Sequence, residues 1–332
     1  MADQHEILQK ILSKFPSGVS LAFAYGSGVF TQKGNTSPSN MLDFVFVVEN
    51  VRKWHEDNMY MRYHPRHYSF VRSFGSRAIV SLQDKFGAGL YYNTLVPMEG
   101  RMIKYGTISR DNFFLDLNEW QWLYLAGRLH KPVRFVFRPH DEDISSALKA
   151  NLNSAVTAAL LCLPEHFTEE ELFLSIAGLS FSGDFRMVVG EDRSKIQNIV
   201  GSNFEHFQEL YRPILSNCSQ LHFNSTSCKY HQNRDCDVVL SRLMSLPKNL
   251  QKHIAQAVEG KSFKQSSIEN VLIKVSQDRL NCPRTVKKGL TSIVKRSSVT
   301  QSLKGILTAG GRKTLIYSAQ KLTKMLKGFW LK

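Results

Sequence analysis

The sequence predicts an α/β fold of the α+β kind, in which a mixed sheet with helices is followed by a mainly helical region and a basic amphipathic C-terminal helix. Two observations support this. Apolar runs of strand length alternate with helical patterns in residues 1–137, whereas the rest of the chain has mostly helical patterns. The charge is also uneven, since residues 241–332 hold 19 of the 43 Lys and Arg residues but only three of the 28 acids. A basic end on a near-neutral body indicates an anionic surface as partner.

We expect three parts: 1–137, 138–295 and 296–332. No run approaches the roughly 18 apolar residues of a membrane span, so any membrane contact is expected to be peripheral. The chain has five cysteines, and this odd number indicates a reducing compartment.

The first part begins with a helical apolar repeat at residues 7–15, which Pro16 ends. Two strands are expected next, at 21–25 and 41–48, separated by a Gly-, Asn- and Ser-rich loop at 31–40. The remaining predicted elements are a helix at 77–86, strands at 90–96 and 101–108 joined by a turn at 97–100, and a helix at 111–130.

The second part is predicted to be mainly helical. Thr168 and Glu171 form a capping-box pattern at the start of one of its helices. The predicted elements are helices at 145–162 and 168–178, a turn or short hairpin at 178–190, a helix at 192–215, an exposed loop at 216–237, and basic helices from 240 onward. The loop is rich in Cys and His, but their spacings match no standard zinc pattern.

The pattern most informative about chemistry is Tyr25-Gly26-Ser27-Gly28 followed by Asp43. An acid within an apolar strand is costly to bury unless it is paired, and a divalent cation is a common partner. A Gly-Ser turn at the end of the preceding strand can present backbone N–H groups to phosphates. The order of strand, turn, loop and acidic strand therefore predicts a site for a nucleoside triphosphate and Mg²⁺, of the kind found in nucleotidyltransferases.

A second carboxylate for the metal is not assigned by the pattern. Position 45, two residues after Asp43, is Val45, and Glu49 lies about 20 Å along the strand. The open candidates are Asp84, Glu99 and Asp111. Mg²⁺ can also be held by one carboxylate together with substrate phosphates.

The expected reaction is in-line attack on the α-phosphorus of a nucleotide, with pyrophosphate leaving. Lys104 is a candidate to stabilise the triphosphate, and Arg128 and Lys131 are further candidates. Structural alternatives stay open: the turn can be an ordinary tight turn, Lys104 a solvated charge, and Asn93 and His67 hydrogen-bonded structural residues.

Several segments together resemble the mitochondrial translocator assembly and maintenance protein family, and the resemblance extends over essentially the whole chain. Besides the turn and the acidic strand, the matching segments are Trp54-His55-x-x-Asn58, His67-Tyr68-Ser69, Gly87-Ala88-Gly89-x-Tyr91-Tyr92-Asn93, Tyr105-Gly106-Thr107-Ile108, Leu123 to Val133, Ala177 to Met187 and Lys304 to Gly310.

The resemblance implies a phosphatidate cytidylyltransferase that uses CTP and phosphatidic acid to make CDP-diacylglycerol for cardiolipin synthesis. It implies a nucleotidyltransferase domain, a winged-helix-like domain, and a peripheral position on the matrix side of the mitochondrial inner membrane. The residue pattern and the resemblance together give these candidates: Asp43 and Lys104 for catalysis, Asp43 for Mg²⁺, and Tyr25, Gly26, Ser27, Gly28, Asn93 and Arg128 for the nucleotide.

Residues 312–332 have an apolar stripe opposite a row of lysines when they are placed on a helix, which is the pattern of an interfacial helix. The expected contacts with an anionic inner-membrane surface are Lys321, Lys324, Lys327, Phe329 and Trp330. Docking of this helix on its own domain is the alternative.

Two other functions remain open at this stage. One is a non-catalytic factor that supports inner-membrane protein import. The other is a nucleotidyltransferase acting on RNA, with the basic end as a phosphate clamp. The aromatic ends of the tail fit lipid better, so no nucleic-acid partner is expected.

Overall fold

A mixed five-stranded sheet forms the first part of the molecule in the computed structural model, which describes residues 2–30, 40–61, 64–187, 194–260, 263–264 and 267–310. The strands are β1 (Val19–Tyr25), β2 (Leu42–Val48), β3 (Leu90–Met98), β4 (Arg101–Ser109) and β5 (Arg134–Phe137). Their order is β3-β4-β2-β1-β5, with β2 and β4 parallel and the other neighbours antiparallel. The predicted mixed α/β fold is confirmed.

Four of these strands lie where the β-branched and aromatic runs predict them. β5 was not predicted, because four residues are too few to show alternation. The helices of this part are α1 (Ala2–Leu12), α2 (Val51–Glu56), α3 (Gly75–Lys85), α4 (Arg110–Glu119) and α5 (Ala126–Leu129), with a π turn at Asp57–Met61 and 3₁₀ turns at Pro65–His67 and Phe70–Phe74.

The predicted single helix at 111–130 was wrong, because the chain leaves the helix at Trp120, whose φ is +54°. The cause is Asp116, whose buried carboxylate accepts hydrogen bonds from the five successive backbone N–H groups of residues 122–126 at 2.7–3.1 Å. These bonds satisfy the N–H groups of the irregular segment and of the start of α5. The resulting structure, Asp116 with residues 122–126, is called the Asp116 loop below.

The second part combines helices with a small antiparallel sheet. Its helices are α6 (Glu142–Cys162), α7 (Glu169–Leu179), α8 (Lys195–Ser202), α9 (Phe204–Leu215), α10 (Cys236–Ser245), α11 (Lys248–Glu259), α12 (Ile268–Gln277) and α13 (Cys282–Ala309), with a 3₁₀ turn at Phe185–Met187. The sheet has the order β6 (His166–Thr168), β8 (Lys229–Gln232), β7 (Leu221–Asn224).

Three predictions for this part can be checked locally. The capping box is confirmed, since Thr168 and Glu171 exchange side-chain and backbone hydrogen bonds. The continuous helix at 192–215 was wrong, because Asn203 ends α8 and its amide donates to the carbonyl of Ile199 at 2.9 Å. The segment 216–237 is mostly exposed as predicted, but the prediction that it is only a loop was wrong, because it contains the β7–β8 hairpin.

Helix α13 returns from the second part to the first and runs through the predicted boundary at 295/296. Its buried Gln301 accepts from the backbone N–H of Ala88 at 2.8 Å and donates to the carbonyl of Leu90 at 3.3 Å. Buried Lys304 donates to the carbonyl of Gln83 at 2.9 Å. These bonds fix the end of α13 against α3 and the start of β3. Within the described ranges, no helix has both the length and the apolar character needed to span a bilayer.

Candidate active site

Tyr25, Asp43 and Lys104 stand in one row across three adjacent strands. Tyr25 pairs with Asp43 between β1 and β2, and Asp43 pairs with Lys104 between β2 and β4. Lys104 Nζ lies 3.9 Å from Asp43 Oδ1, and both side chains keep about a fifth of their surface exposed. The pairing of β1, β2 and β4 therefore brings these residues together in a compact charged site that solvent can reach.

The Gly26–Gly28 turn borders this row. Gly26 has φ of +80°, which favours glycine, and a Cβ there would lie 3.3 Å from Asp43 Oδ2. A Cβ on Gly28 would collide with the backbone carbonyl of Met41. The turn therefore needs its glycines in order to approach β2 closely, and it places backbone groups beside the carboxylate.

Aromatic rings and cations line the same face of the sheet. Lys104 Nζ lies 4.5 Å from the centre of the Tyr92 ring, and the Arg128 guanidinium carbon lies 4.6 Å from the Tyr25 ring and 5.0 Å from the Tyr124 ring. Arg128 Nη2 also donates to the Tyr124 hydroxyl at 3.3 Å. Such stacking restricts the orientation of a guanidinium and leaves other N–H groups available for an anion.

The position of Arg128 depends on the Asp116 loop, because α5 begins where that loop ends. A second support is buried Asn151 of α6, whose amide donates to the carbonyl of Ala126 at 3.1 Å. The indole N–H of Trp120 donates to Asn151 Oδ1 at 2.9 Å. The arginine is thus held by contacts from both parts of the molecule.

Arg186 adds a further cation from the second part. Its Nε and Nη2 donate to the two oxygens of Asp184 at 2.9 and 2.5 Å, and the Asp184 side chain is 2% exposed. Burial raises the pKa of Tyr124, but Arg128, Arg186 and Lys104 outweigh burial and lower that pKa from 10 to about 7. These three cations thus all favour the ionised form of the Tyr124 phenol.

Lys131 has a different environment from the other cations. Its Nζ donates to the carbonyl of Gly127 at 2.5 Å and to Ser180 Oγ at 2.9 Å. Burial, with help from Arg128 and Lys195, lowers the pKa of Lys131 to about 7. These bonds make Lys131 a link between α5 and the segment after α7.

Asn93, which was predicted to bind the nucleotide, does not lie on the same face of the sheet as Asp43. It pairs with Tyr105 across β3 and β4, on the face of the sheet opposite Asp43. The candidates for a second carboxylate are also dispersed. Glu99 pairs with Lys10 and Lys14, Asp84 accepts from Asn112, and Asp111 is exposed in the first turn of α4.

The site fits Mg²⁺ held by one carboxylate. Asp43 offers hard oxygen ligands that solvent can reach, beside a turn that can receive phosphates. Within the described ranges, one cluster of three potential metal-ligating residues is found, Glu165, His166 and His231, and it lies in the small sheet rather than at Asp43. A second protein carboxylate for the metal therefore stays unassigned.

Sequence reasoning did not assign Tyr92, Tyr124 or Arg186 to the site. The segment Gly183-Asp184-Phe185-Arg186 was among those carrying the family resemblance, and this was the available signal for Arg186. The predicted membrane residues Lys321, Lys324, Lys327, Phe329 and Trp330 lie outside the described residues, and their role stays a prediction.

Comparison with known proteins places this site in context. A family model described as phosphatidate cytidylyltransferase, mitochondrial, matches residues 8–324. Similar proteins of that name include one from Danio rerio, 48% identical over 97% of this chain and 95% of its own length. One from Bos taurus is 48% identical over 97% and 95%. One from Homo sapiens is 46% identical over 97% of this chain and 71% of its own length.

Proposed function

Because this chain belongs to the family of mitochondrial phosphatidate cytidylyltransferases, we propose that the row of Tyr25, Asp43 and Lys104 is where it transfers CMP from CTP to phosphatidate. The activity of the chain is that of a phosphatidate cytidylyltransferase, a nucleotidyltransferase. The observation that supports this location is the Asp43–Lys104 pair beside the Gly26–Gly28 turn, with Arg128 stacked between two tyrosines.

In the proposed reaction, a phosphate oxygen of phosphatidate attacks the α-phosphorus of CTP. The bond from that phosphorus to the oxygen bridging to the β-phosphorus breaks, and pyrophosphate leaves with the bonding electrons. The products are CDP-diacylglycerol and pyrophosphate. The phosphate of phosphatidate is ionised at neutral pH, so the step needs positioning and charge neutralisation more than a general base.

Each residue of the site has a role in this scheme. The backbone N–H groups of the Gly26–Gly28 turn would receive phosphate oxygens. Lys104 and Arg128, which stack on the rings lining this face, would bind the triphosphate, with Arg186 as a further cation that acts on Tyr124. Asp43 would hold Mg²⁺, which when bound neutralises the triphosphate and the leaving pyrophosphate.

We further propose that the enzyme works as a peripheral protein on the matrix side of the inner membrane and supplies CDP-diacylglycerol for cardiolipin synthesis. The acyl chains of phosphatidate stay in a bilayer, so the enzyme has to reach one. The basic amphipathic sequence at 312–332 supports contact with an anionic leaflet, where each lysine adds about 1 kcal/mol of attraction. The names of the relatives favour phosphatidate as acceptor over the RNA and non-catalytic alternatives.

The test is pyrophosphate release by the purified chain with Mg²⁺, CTP and phosphatidate-containing vesicles. We expect release to require both substrates, to fall sharply when ATP replaces CTP, and to stop on chelation of Mg²⁺. Equal release with RNA in place of phosphatidate would overturn the acceptor, and release that survives chelation would overturn the metal.

A further inference from the structure

An exposed apolar surface lies where the 3₁₀ turn Phe70–Phe74 meets the end of α13. Its members are large apolar side chains that the fold leaves in solvent: Phe70, Phe74, Leu303, Ile306 and Leu307, which together are called the Phe74 patch. Phe74 is 70% exposed and Phe70 is 59% exposed. Aromatic side chains so exposed, next to exposed aliphatic ones, mark a surface that binds something.

The patch is built by regular spacing on both of its elements. Leu303, Ile306 and Leu307 recur at helical intervals on α13, while Gln301, Lys304 and Thr308 of the same turns are buried against the protein. In the 3₁₀ turn, Phe70 and Phe74 are exposed while Val71 between them is buried. The apolar residues thus occupy the outer side of each element, where they stabilise no core.

The two elements form one surface because they are in direct contact. Ser69 Oγ donates to the carbonyl of Leu307 at 3.0 Å. A Cβ on Gly310 would lie 3.6 Å from the Cβ of Ser69. One element comes from the first part of the chain and the other from its last described helix, so the patch is a joint feature of both.

The sequence around the patch has one sign of charge. Residues 60–83 contain four arginines and no acid, and residues 279–310 contain seven Lys and Arg residues and no acid. Arg66, Arg72 and Arg77 are exposed on the first of these segments, and Lys295 and Arg296 on the second. An apolar centre with a cationic surround is complementary to the interface of an anionic bilayer.

Gly310, the last described residue, lies next to the patch. The 22 residues of 311–332 contain six Lys and Arg residues and no acid, and they follow directly from Gly310. The sequence predicted to form an interfacial helix therefore has the same combination of apolar and basic residues as the patch that precedes it in the chain. A single weak membrane signal gives marginal binding, and two signals together give stable binding.

We propose that the Phe74 patch is a second membrane-contacting surface, which inserts its two phenylalanines and the outer side of α13 into the headgroup region of an anionic bilayer. This inference rests on the proposed function, since that function requires the enzyme to reach phosphatidate in a membrane. The patch is distinct from the 312–332 segment, because its aromatic side chains belong to the first part of the chain.

The test measures co-sedimentation of the full chain with vesicles of equimolar phosphatidylcholine and phosphatidylglycerol. We expect F70S/F74S to weaken the partition coefficient by about tenfold, the loss of two interfacial aromatic side chains. The matched control is F223S, which removes a 54% exposed phenylalanine from β7 and should leave the partition coefficient unchanged. L303S/I306S should weaken binding in the same direction, so the result does not depend on one pair of substitutions.

Controls separate this result from misfolding and from failure of the proposed function. CTP affinity and thermal unfolding of F70S/F74S should match the unmodified chain, and turnover of a short-chain, monomeric phosphatidate should also match it. Vesicle binding needs no turnover. If the unmodified chain binds vesicles through the patch but releases no pyrophosphate, the proposed function fails while this inference stands.

Two other occupants of the patch give different results. If residues 311–332 cover it, F70S/F74S will leave vesicle binding unchanged or strengthen it. If a second copy covers it, the chain will elute as a dimer in gel filtration and the variant as a monomer. Either result overturns the proposal.

Quenching of F74W fluorescence by bromolipid vesicles, with no quenching of F223W beyond the unmodified chain, supports insertion.

Discussion

Asp43 and Phe44 are neighbours in β2, and Lys104 and Tyr105 are neighbours in β4, yet the two members of each pair lie on opposite faces of the sheet. On the Asp43 face, the charged groups are partly exposed. On the Tyr105 face, buried polar side chains centred on Asn58 are bonded to one another. The same two strands therefore present the candidate active site on one side and a core on the other.

The polar network on the Tyr105 face is centred on Asn58, whose amide donates to the hydroxyls of Tyr68 and Tyr105 at 2.9 and 3.0 Å. His55 extends it through Tyr68 at 2.8 Å and Gln83 at 3.0 Å. Burial lowers the pKa of His55 to about 4, so it is neutral at physiological pH. The comparison shows what distinguishes the two kinds of polar residue. Asp43 and Lys104 are charged and partly exposed, which makes them functional candidates, whereas the neutral and buried side chains of the other face stabilise the core.

The largest expected effect comes from removing the carboxylate of the Asp43 face. Asp43→Asn should lower kcat by about 10³-fold or more, because charge neutralisation at the triphosphate is lost. Glu49→Gln, further along the same face and 58% exposed in its side chain, is the matched control and should keep near-normal turnover. Pyrophosphate release measures both, and thermal unfolding should show Asp43→Asn folded. A variant with half of the normal kcat would refute the role of Asp43.

On the Tyr105 face we expect a substitution to reduce stability and to leave turnover nearly unchanged. Asn58→Leu should lower the free energy of unfolding by about 3 kcal/mol, because two buried tyrosine hydroxyls lose a hydrogen-bond donor. Turnover per folded molecule should change less than twofold. Urea unfolding measures the change in stability, and pyrophosphate release at low temperature measures the turnover. If kcat falls while stability holds, the division between the two faces is wrong.

An intermediate effect is expected for the stacked arginine. Arg128→Lys keeps the charge but loses the planar stacking on Tyr25 and Tyr124, and kcat/KM for CTP should fall by about 10²-fold. Arg138→Lys is a suitable control, since that guanidinium lies over Phe135 on β5. Equal kinetics for the Arg128 and Arg138 variants would count against a triphosphate role for Arg128.

The smallest effect is a pH dependence on the Asp43 face. As pH rises through about 7, Tyr124 loses its proton, and the phenolate opposes binding of the CTP anion. CTP affinity should then fall by up to about fivefold between pH 7 and pH 8, the change in the protonated fraction of a group with that pKa. In Tyr124→Phe this part of the pH dependence should disappear, and calorimetric titration of CTP at several pH values measures it.

The lowered pKa of Tyr124 also predicts how the free energy of unfolding changes with pH. Its pKa is lower in the folded state than in the unfolded chain, so between about pH 7 and 10 the unfolded state binds more protons. The contribution of Tyr124 to stability therefore grows as pH rises across that range. Tyr124→Phe should reduce this rise in urea-unfolding free energy, and an unaltered pH slope would contradict the assignment.

Much of the Asp43 face could be predicted from sequence because it depends on strands and a turn, which local patterns reveal. Asp43, Lys104 and the Gly26–Gly28 turn all lie together as expected. Arg186 could not be placed, because it reaches the site only through packing of the second part on the first. The face on which Asn93 lies depends on strand register and on the irregularity between Asn93 and Val96, neither of which composition fixes.

The short and irregular elements were missed for related reasons. Asp116 fits an exposed position of a longer helix in sequence, and only the folded chain shows five N–H groups converging on it. Strands of three or four residues, such as β5 and β7, are too short for alternation to be read. The charge pattern of residues 312–332 is clear in sequence, and its role rests on the vesicle experiments.

The contact between Gln301 and the start of β3 has a consequence for solubility. β3 is the outermost strand on its side of the sheet, and an outer strand offers free N–H and C=O groups to any other chain. By bonding to Ala88 N–H and Leu90 C=O, the Gln301 amide takes the place of a neighbouring strand there. Helix α13 is thus also a cover that protects the sheet from pairing with another molecule, and a chain shortened before residue 301 would expose a template for aggregation.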